Sequence, residues 1–453
     1  MTNEPTSPSP PSEPRPVLLM TGGWTTQGLW QPLSEHYDIC LAHPQMSQQL
    51  ADMGLPGFGL QKYGNAEIQE TAINVAYEMA DKVRHGMGSV NGVVSEAFGG
   101  DVPENLQPEY TNKWWPSMVG EHLRNEAIIV QMLEALVNER KVVGCLVHED
   151  VTPDARTIVL WCKSHGVPTI HVPHANCFYT GDGWDIHTES ISDYIAASGE
   201  HEREFYTHWE YSKWSQDGRI RLCGVPQLDG WCHPEDNKPS RWEARRVLGI
   251  ILRDADGNPI KDVNGEEIID MDSFLLIYAS SWEQLTNTTG GFAGQMEESL
   301  RQAFEAAKEL GAILCIKMHP GEAQGTEQVY LNALQQYAIP GFVTRQFNEY
   351  VIMAATEGKG ALLSHGPSNI CISAAMVGVP SAYMAVDDFQ FPFPGPIAVH
   401  PGGNATHAIK MAMQLDKSKT WDLFSKNCND AWPNGNAKER IVEFVREVCS
   451  PSQ

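Results

Sequence analysis

Two apolar runs that each stop in a polar corner set the strongest limit on what this chain can fold into. Ala312 to Ile316 reads Ala-Ile-Leu-Cys-Ile and gives way to Lys317-Met318-His319-Pro320-Gly321-Glu322. Gly360-Ala361-Leu362-Leu363 gives way to Ser364-His365-Gly366-Pro367-Ser368-Asn369. Each run reads as a hydrophobic strand that gives way to a loop. After the second corner, Ile370 to Val377 is small and apolar and ends at Gly378-Val379-Pro380, as a short helix does before the next strand. Strand, loop, helix and strand in this order predict an open α/β sheet that binds its ligand at the strand carboxyl ends. The two corners then face one cleft, and the second opens a helix whose first N–H groups attract phosphate.

At 453 residues the chain exceeds one core, and two domains of about 200 residues are expected. Residues 1–15 read as a disordered tail rich in Pro, Ser and Glu, without the apolar centre of a signal peptide. The expected layout is then a first domain over 16–232, a connection over 233–272, a second domain over 273–416 and closing helices over 417–453 that cross back. Ten scattered cysteines form no Cys-x-x-Cys pair, which suits reduced thiols in a cytoplasm. No run approaches the ~20 apolar residues of a membrane span. A formal charge of −25 disfavours broad contact with nucleic acid or an anionic membrane, leaving room only for a local basic groove.

In the first half, Pro16 to Met20 reads as a strand opening into Thr21-Gly22-Gly23, where glycine lets backbone approach a ligand or simply turn. The spacing is not that of a dinucleotide loop. Tyr37 to His43 is a second strand, and Ala51 to Gly120 carries one amphipathic stretch, Ala66 to Val83. Helix Glu126 to Arg140 leads to strand Val142 to Val147, which ends in His148-Glu149-Asp150. Helix Ala155 to His165 and strand Thr169 to Val172 follow, ending in Pro173-His174-Ala175-Asn176. Short strands at Ser190 to Ser198 and Arg219 to Cys223 lead to Gly224-Val225-Pro226 and an Asp229 of structural type.

The connection carries a basic helix, Trp242 to Leu248, and a polar hairpin, Asp254 to Asp270, whose two Gly turns fit a hairpin better than a calcium loop. Strand Phe274 to Tyr278 ends in Ala279-Ser280-Ser281. Helix Met296 to Leu310, helix Glu327 to Tyr337, strand Gly341 to Thr344, helix Tyr350 to Ala355 and strand Ser381 to Met384 complete the second sheet. Phe391 to Pro396 reads as a proline-rich loop before helix Ala405 to Leu415.

The succession strand, Lys317-Met318-His319-Pro320, helix, strand, Ser364-His365-Gly366-Pro367-Ser368-Asn369, helix, Gly378-Val379-Pro380 resembles the nucleotide-binding half of the GT-B fold glycosyltransferases. It is similar above all to their branch with a His-Pro motif and a later Ser-Ser or Ser-Asn motif. That branch holds sialyl- and Kdo-type transferases and CDP-glycerol glycerophosphotransferases, with UDP-N-acetylglucosamine 2-epimerases in the same superfamily. The resemblance covers roughly residues 15–415 and implies an α/β chain of two Rossmann-like domains facing a central cleft.

It further implies a nucleotide-sugar site made of Lys317, His319, Pro320, Ser364, His365, Gly366, Ser368 and Asn369, with Ser280 and Ser281 as a second phosphate contact and Gly22, Gly23 and Gly224 around the cleft. The acceptor base is expected from the opposite domain, with His174, Asp150 and Glu149 as candidates in that order. Where the branch ends that strand in His-Gly, this chain has His174-Ala175. Glu149 and Asp150 also read as capping acids for the next helix, and His365 as a core histidine. Many retaining enzymes of this fold hold ribose with a Glu five residues before the Gly of Gly-x-Pro; here that position is Ser373, which points to an inverting enzyme.

The expected function is therefore inverting glycosyl transfer, without metal or cofactor, from a nucleotide sugar to a hydroxyl of a glycan, lipid or modified base, in the cytoplasm. A nucleotide-sugar 2-epimerase, a polyol-phosphate transferase, a phage-type DNA base glycosyltransferase disfavoured by the charge, and a non-catalytic sugar-binding protein are the alternatives. Donor base, sugar, acceptor and oligomeric state are left open.

Overall fold

The computed structural model describes residues 14–22, 24–79, 123–148, 152–173, 190–207, 218–232, 239–281, 293–345, 349–385 and 390–450. Their strands form two sheets. The first contains β1 (Val17–Met20), β2 (Asp38–Leu41), β3 (Gly57–Gly59), β4 (Val142–Val147), β5 (Thr169–His171), β6 (Tyr194–Ala197) and β7 (Ile220–Leu222), in the order β3-β2-β1-β4-β5-β6-β7. The second contains β8 (Leu275–Ala279), β9 (Ile313–Lys317), β10 (Gly341–Thr344), β11 (Gly360–Ser364), β12 (Ser381–Met384) and β13 (Pro396–Val399), in the order β10-β9-β8-β11-β12-β13. Every pairing within both sheets is parallel.

Parallel strands need crossovers, and these supply helices to both faces. Helices Ala293–Leu310, Thr326–Gln336 and Ala405–Ala412 cover one face of the second sheet; Glu349–Thr356, Asn369–Met376 and Lys417–Cys428 cover the other. The central strands β8 and β11 are accordingly buried at every residue, which is why both read as unbroken apolar runs. On the first sheet, helices Trp24–Ser34, Pro44–Asp52 and Ala437–Cys449 cover one face, and Arg124–Glu139 with Pro153–Ser164 cover the other. The fold is α/β, with two Rossmann-like halves. β3 and β13 escaped the sequence reading: Gly-Phe-Gly has little strand propensity, and β13 begins on the proline that ends a loop-like stretch.

The last helix, Ala437–Cys449, leaves the second half and packs on helix Trp24–Ser34 and on β4. Burying its Ile441, Phe444 and Val445 contributes about 1.5–3 kcal/mol each. Asp229 caps it: Ala437 N donates to Oδ1 (3.0 Å) and Lys438 N to Oδ2 (2.9 Å). Beside it, Asn429 Oδ1 accepts from Val225 N at 3.1 Å and from Ala431 N at 3.3 Å. Trp231 stacks on Tyr350 of the second half with ring centroids 3.8 Å apart.

In the connecting segment, fully buried Arg245 donates to the carbonyls of Ala355 (2.9 Å), Asp270 (2.6 Å) and Ser273 (2.9 Å). The polar hairpin turns at Asp254 and Asp262, whose carboxylates accept from backbone N–H groups two and four residues on. No helix among the described residues is long and apolar enough to cross a membrane.

Gly224 sits where the two halves meet, with φ of 87°, and a Cβ there would lie 2.4 Å from Ala431 Cβ and 2.7 Å from Asn429 Oδ1. Gly224→Ala is expected to destabilise by about 2 kcal/mol or more through strain and overlap together. Urea unfolding checks this; an unchanged midpoint refutes it.

Candidate functional site

Strand order reverses in the second sheet at β8, which has β9 on one side and β11 on the other. The crevice outside the carboxyl ends of strands at such a point is where open α/β sheets bind ligands. Ala279 pairs in register with both Lys317 and Ser364, so the three strands end level. The residues that follow are Ser280-Ser281, Met318-His319-Pro320 and His365 to Ser368. The structure thus brings most of the second-domain candidates to one place.

The His-Pro corner is held from within by a residue the sequence reading quoted but did not assign. Glu322 is 4% exposed, and its carboxylate takes the Ser280 hydroxyl, His319 N (2.9 Å) and the Tyr330 hydroxyl (2.9 Å). Ser280 Oγ also accepts from His319 N at 2.9 Å. Arg345 ties the far side, donating to the carbonyls of Pro320 (3.2 Å), Glu322 (2.7 Å) and Ala323 (3.1 Å). Ser280 therefore braces the corner, and its hydroxyl is engaged by protein.

Gly321 N donates to His319 Nδ1 at 3.0 Å, which places the proton of the neutral ring on Nε2. Burial, and then the charge of Lys317, lower the His319 pKa below its ordinary value. At neutral pH His319 is a hydrogen-bond donor and carries no charge, so the positive charge at this corner belongs to Lys317. That ammonium lies 3.2 Å from Glu349 Oε1, and Ser373 Oγ donates to Glu349 Oε2 at 3.3 Å. Glu349 stands next to the position where retaining relatives of the resembling fold carry their Glu. It lies one residue before the helix start that the sequence pattern indicated.

At the second corner, His365 is 5% exposed and its N–H donates to Ala279 O at 2.9 Å. Ser364 is 2% exposed, at the end of β11, so it belongs to the core and not to the crevice surface. Gly366 is half-buried, and a Cβ there would meet nothing within 4 Å. Ser368 holds the N-cap position of helix Asn369–Met376, yet its side chain makes no capping bond. The first-turn N–H groups of that helix are thus not capped by the Ser368 side chain.

The first sheet has the same kind of reversal between β1 and β4. Thr21 Oγ1 lies 3.2 Å from His148 Nδ1 and accepts from His148 N at 3.3 Å. Gly22 has φ of 104°, and a Cβ on it would stand 3.0 Å from Met46 Sδ. Gly23, Glu149, Asp150 and His174 lie outside the described residues.

Between the halves is a cavity of about 200 Å³, with Pro173, Ser198, Glu202 and residues 224–228 on one side and Glu349, Asn369, Ile372 and Ser373 on the other. Gly224 and Asn369 are the sequence candidates it brings together. Glu202 and Gln227 were missed, because neither belongs to a motif and only the folding of the first half places them on one wall. Among the described residues no group of three or more His, Cys, Asp or Glu side chains is placed to hold a metal ion.

No protein-family model and no curated protein sequence matches the chain. Solved structures do. UDP-GlcNAc 2-epimerase of Methanocaldococcus jannaschii, in complex with UDP-GlcNAc and UDP, superimposes with a TM-score of 0.55 at 12% identity, over 95% of this chain and 99% of that one. A second UDP-N-acetylglucosamine 2-epimerase gives 0.50 at 11%, over 97% and 98%. The wall teichoic acid polymerase TagF gives 0.47 at 12%, over 96% and 89%. The chain has the GT-B fold of these proteins.

Two outcomes follow from the His-Pro corner. Glu322→Ala leaves the Tyr330 hydroxyl and the His319 N–H without their carboxylate and is expected to cost about 1–3 kcal/mol per group, measurable by chemical denaturation. Because His319 is held neutral in the fold, its contribution to stability is full above about pH 6.5 and is lost as pH falls through the lowered folded value. The wild type should lose more stability on acidification across that window than His319→Gln. Parallel pH profiles of the two proteins would refute the assignment.

Proposed function

We propose that the protein is an inverting, metal-independent glycosyltransferase that moves a sugar from a nucleotide-sugar donor to a hydroxyl acceptor. The observation that carries this reading is the preset donor cluster at the β8 reversal. Lys317, the Nε2–H of His319, the uncommitted Ser368 hydroxyl and the open first turn of helix Asn369–Met376 all belong to it. Glycosyl transfer builds negative charge on the departing phosphate, and donors fixed in advance stabilise that charge without reorganising. Neutral His319 adds direction and Lys317 adds charge, partly held back by Glu349 until a phosphate competes for it. The acceptor's proton would go to a base of the first domain, His174 before Asp150 or Glu149. The fold shared with an epimerase solved with UDP-GlcNAc and UDP supports a nucleotide-sugar ligand.

A nucleotide-sugar 2-epimerase is the second reading, favoured by a buried first-domain carboxylate, Glu202, on the wall of the interdomain cavity. Release of free nucleotide from the donor in the absence of any acceptor would select it.

Screening the purified chain by thermal shift against UDP, CMP, CDP, GDP and dTDP should single out one nucleotide. A ligand at a hundred times its Kd adds ~2.7 kcal/mol, or roughly 3 °C for a 453-residue chain at about 2.1 cal/mol/K of unfolding entropy per residue. Lys317→Ala and Ser368→Ala should both remove the shift. If no nucleotide stabilises the protein, the nucleotide-sugar reading falls.

A further inference from the structure

The charge at the carboxyl edge of the second sheet limits what can depart from it. The segments that follow its strands are 280–292, 318–325, 345–348, 365–368, 385–395 and 400–404, and Arg345 is their only Lys or Arg. Its guanidinium is engaged inside the corner, on the carbonyls of Pro320, Glu322 and Ala323. Lys317, the last residue of β9, is then the one ammonium at this edge among the described residues, and Glu349 balances it from 3.2 Å. The same segments carry Glu283, Asp387 and Asp388. The first half adds little. Segments 21–23, 42–43, 148–152, 172–193, 198–199 and 223–225, which follow β1, β2, β4, β5, β6 and β7, hold no Lys or Arg. Cations follow only the edge strand β3, where Lys62 lies over the Phe58 and Tyr63 rings, and Lys82, Arg84 and Lys113 lie outside the described residues.

The donors that remain for a ligand are the Lys317 ammonium, the Nε2–H of His319, the Ser368 hydroxyl and the first-turn N–H groups of helix Asn369–Met376, which Ser368 leaves uncapped. This set suits the non-bridging oxygens of one phosphate, with roughly half a positive charge from the helix end beside one ammonium. A nucleoside diphosphate departs with more negative charge than a nucleoside monophosphate and has a second phosphate to anchor. That excess would meet no further counter-charge among the described residues of this edge, and donors preset in a site must match the charge that develops there. We propose that the departing group is a nucleoside monophosphate, so that the donor is a sugar joined to its nucleoside through a single phosphate. In the transfer the acceptor oxygen bonds to the anomeric carbon, the bond from that carbon to the phosphate oxygen breaks, and its electron pair stays on the phosphate. The acceptor's proton passes to the first-domain base. This rests on the glycosyl-transfer reading and narrows its donor.

The test is titration calorimetry of the full chain with nucleoside mono- and diphosphates paired by base, first in EDTA and then with magnesium. For the base that binds, the monophosphate should bind about tenfold tighter than its diphosphate in EDTA. Glu349→Gln removes the counter-charge of Lys317 and keeps its shape, so it should strengthen the diphosphate more than the monophosphate and narrow the gap. Lys317→Ala should weaken the monophosphate about tenfold. A diphosphate that binds as tightly as its monophosphate, with or without magnesium, overturns the proposal and leaves the glycosyl-transfer reading standing. A preference that Glu349→Gln leaves unchanged also overturns it. Absence of binding by every nucleotide of both kinds takes down the glycosyl-transfer reading and the proposal together.

Discussion

The relation between the two halves depends on a short stretch of hydrogen bonds and close packing near residues 224–231. Asn429 accepts from Val225 and Ala431, Asp229 caps the last helix, and the absence of a side chain at Gly224 admits Ala431. This stretch sends the end of the chain back to the first sheet, so that both halves share one core path. Trp231 then meets Tyr350 at the same level, and the cleft takes its width from these contacts. Two sheets joined only by the 239–273 segment would be free to swing, as domain pairs with small interfaces do.

Inside the second half, preorganisation is electrostatic. Glu322 draws Ser280, His319 and Tyr330 onto one buried carboxylate, and each neighbour supplies a donor that makes the charge tolerable. The Gly321 N–H then settles the tautomer of His319, and burial keeps that ring neutral. Donors and one ammonium cluster at the β8 reversal, and Glu349 ties that ammonium to Ser373 of the neighbouring helix.

Much of the fold was legible from local pattern. The apolar runs of β8, β9 and β11 are long enough to need cover on both faces, and the Gly-Val-Pro stop after Met376 marks a helix end. Short strands such as β3 and β13 were not legible, because glycine and proline oppose strand propensity and only pairing with β2 and β12 makes them strands. Within the site, Lys317, His319 and Ser368 were visible because strand-end loops collect polar residues that the core cannot hold. Ser364 looked like their companion and is instead a core hydroxyl, since its place on the strand turns it inward.

By itself the sequence determined the parallel α/β class, the two halves and the polar corners, since periodicity and breakers act over a few residues. Tertiary structure decided which of those corners meet: the order β9-β8-β11 makes Ser280 the neighbour of both. It alone put Glu322 under His319, Glu349 between Lys317 and Ser373, and Gln227 and Asn369 on the lining of one cavity. The reason is distance along the chain. Lys317 and Ser373 lie tens of residues from Glu349, and although Glu322 is three residues from His319 its burial needs Ser280 and Tyr330, so no local propensity encodes these contacts.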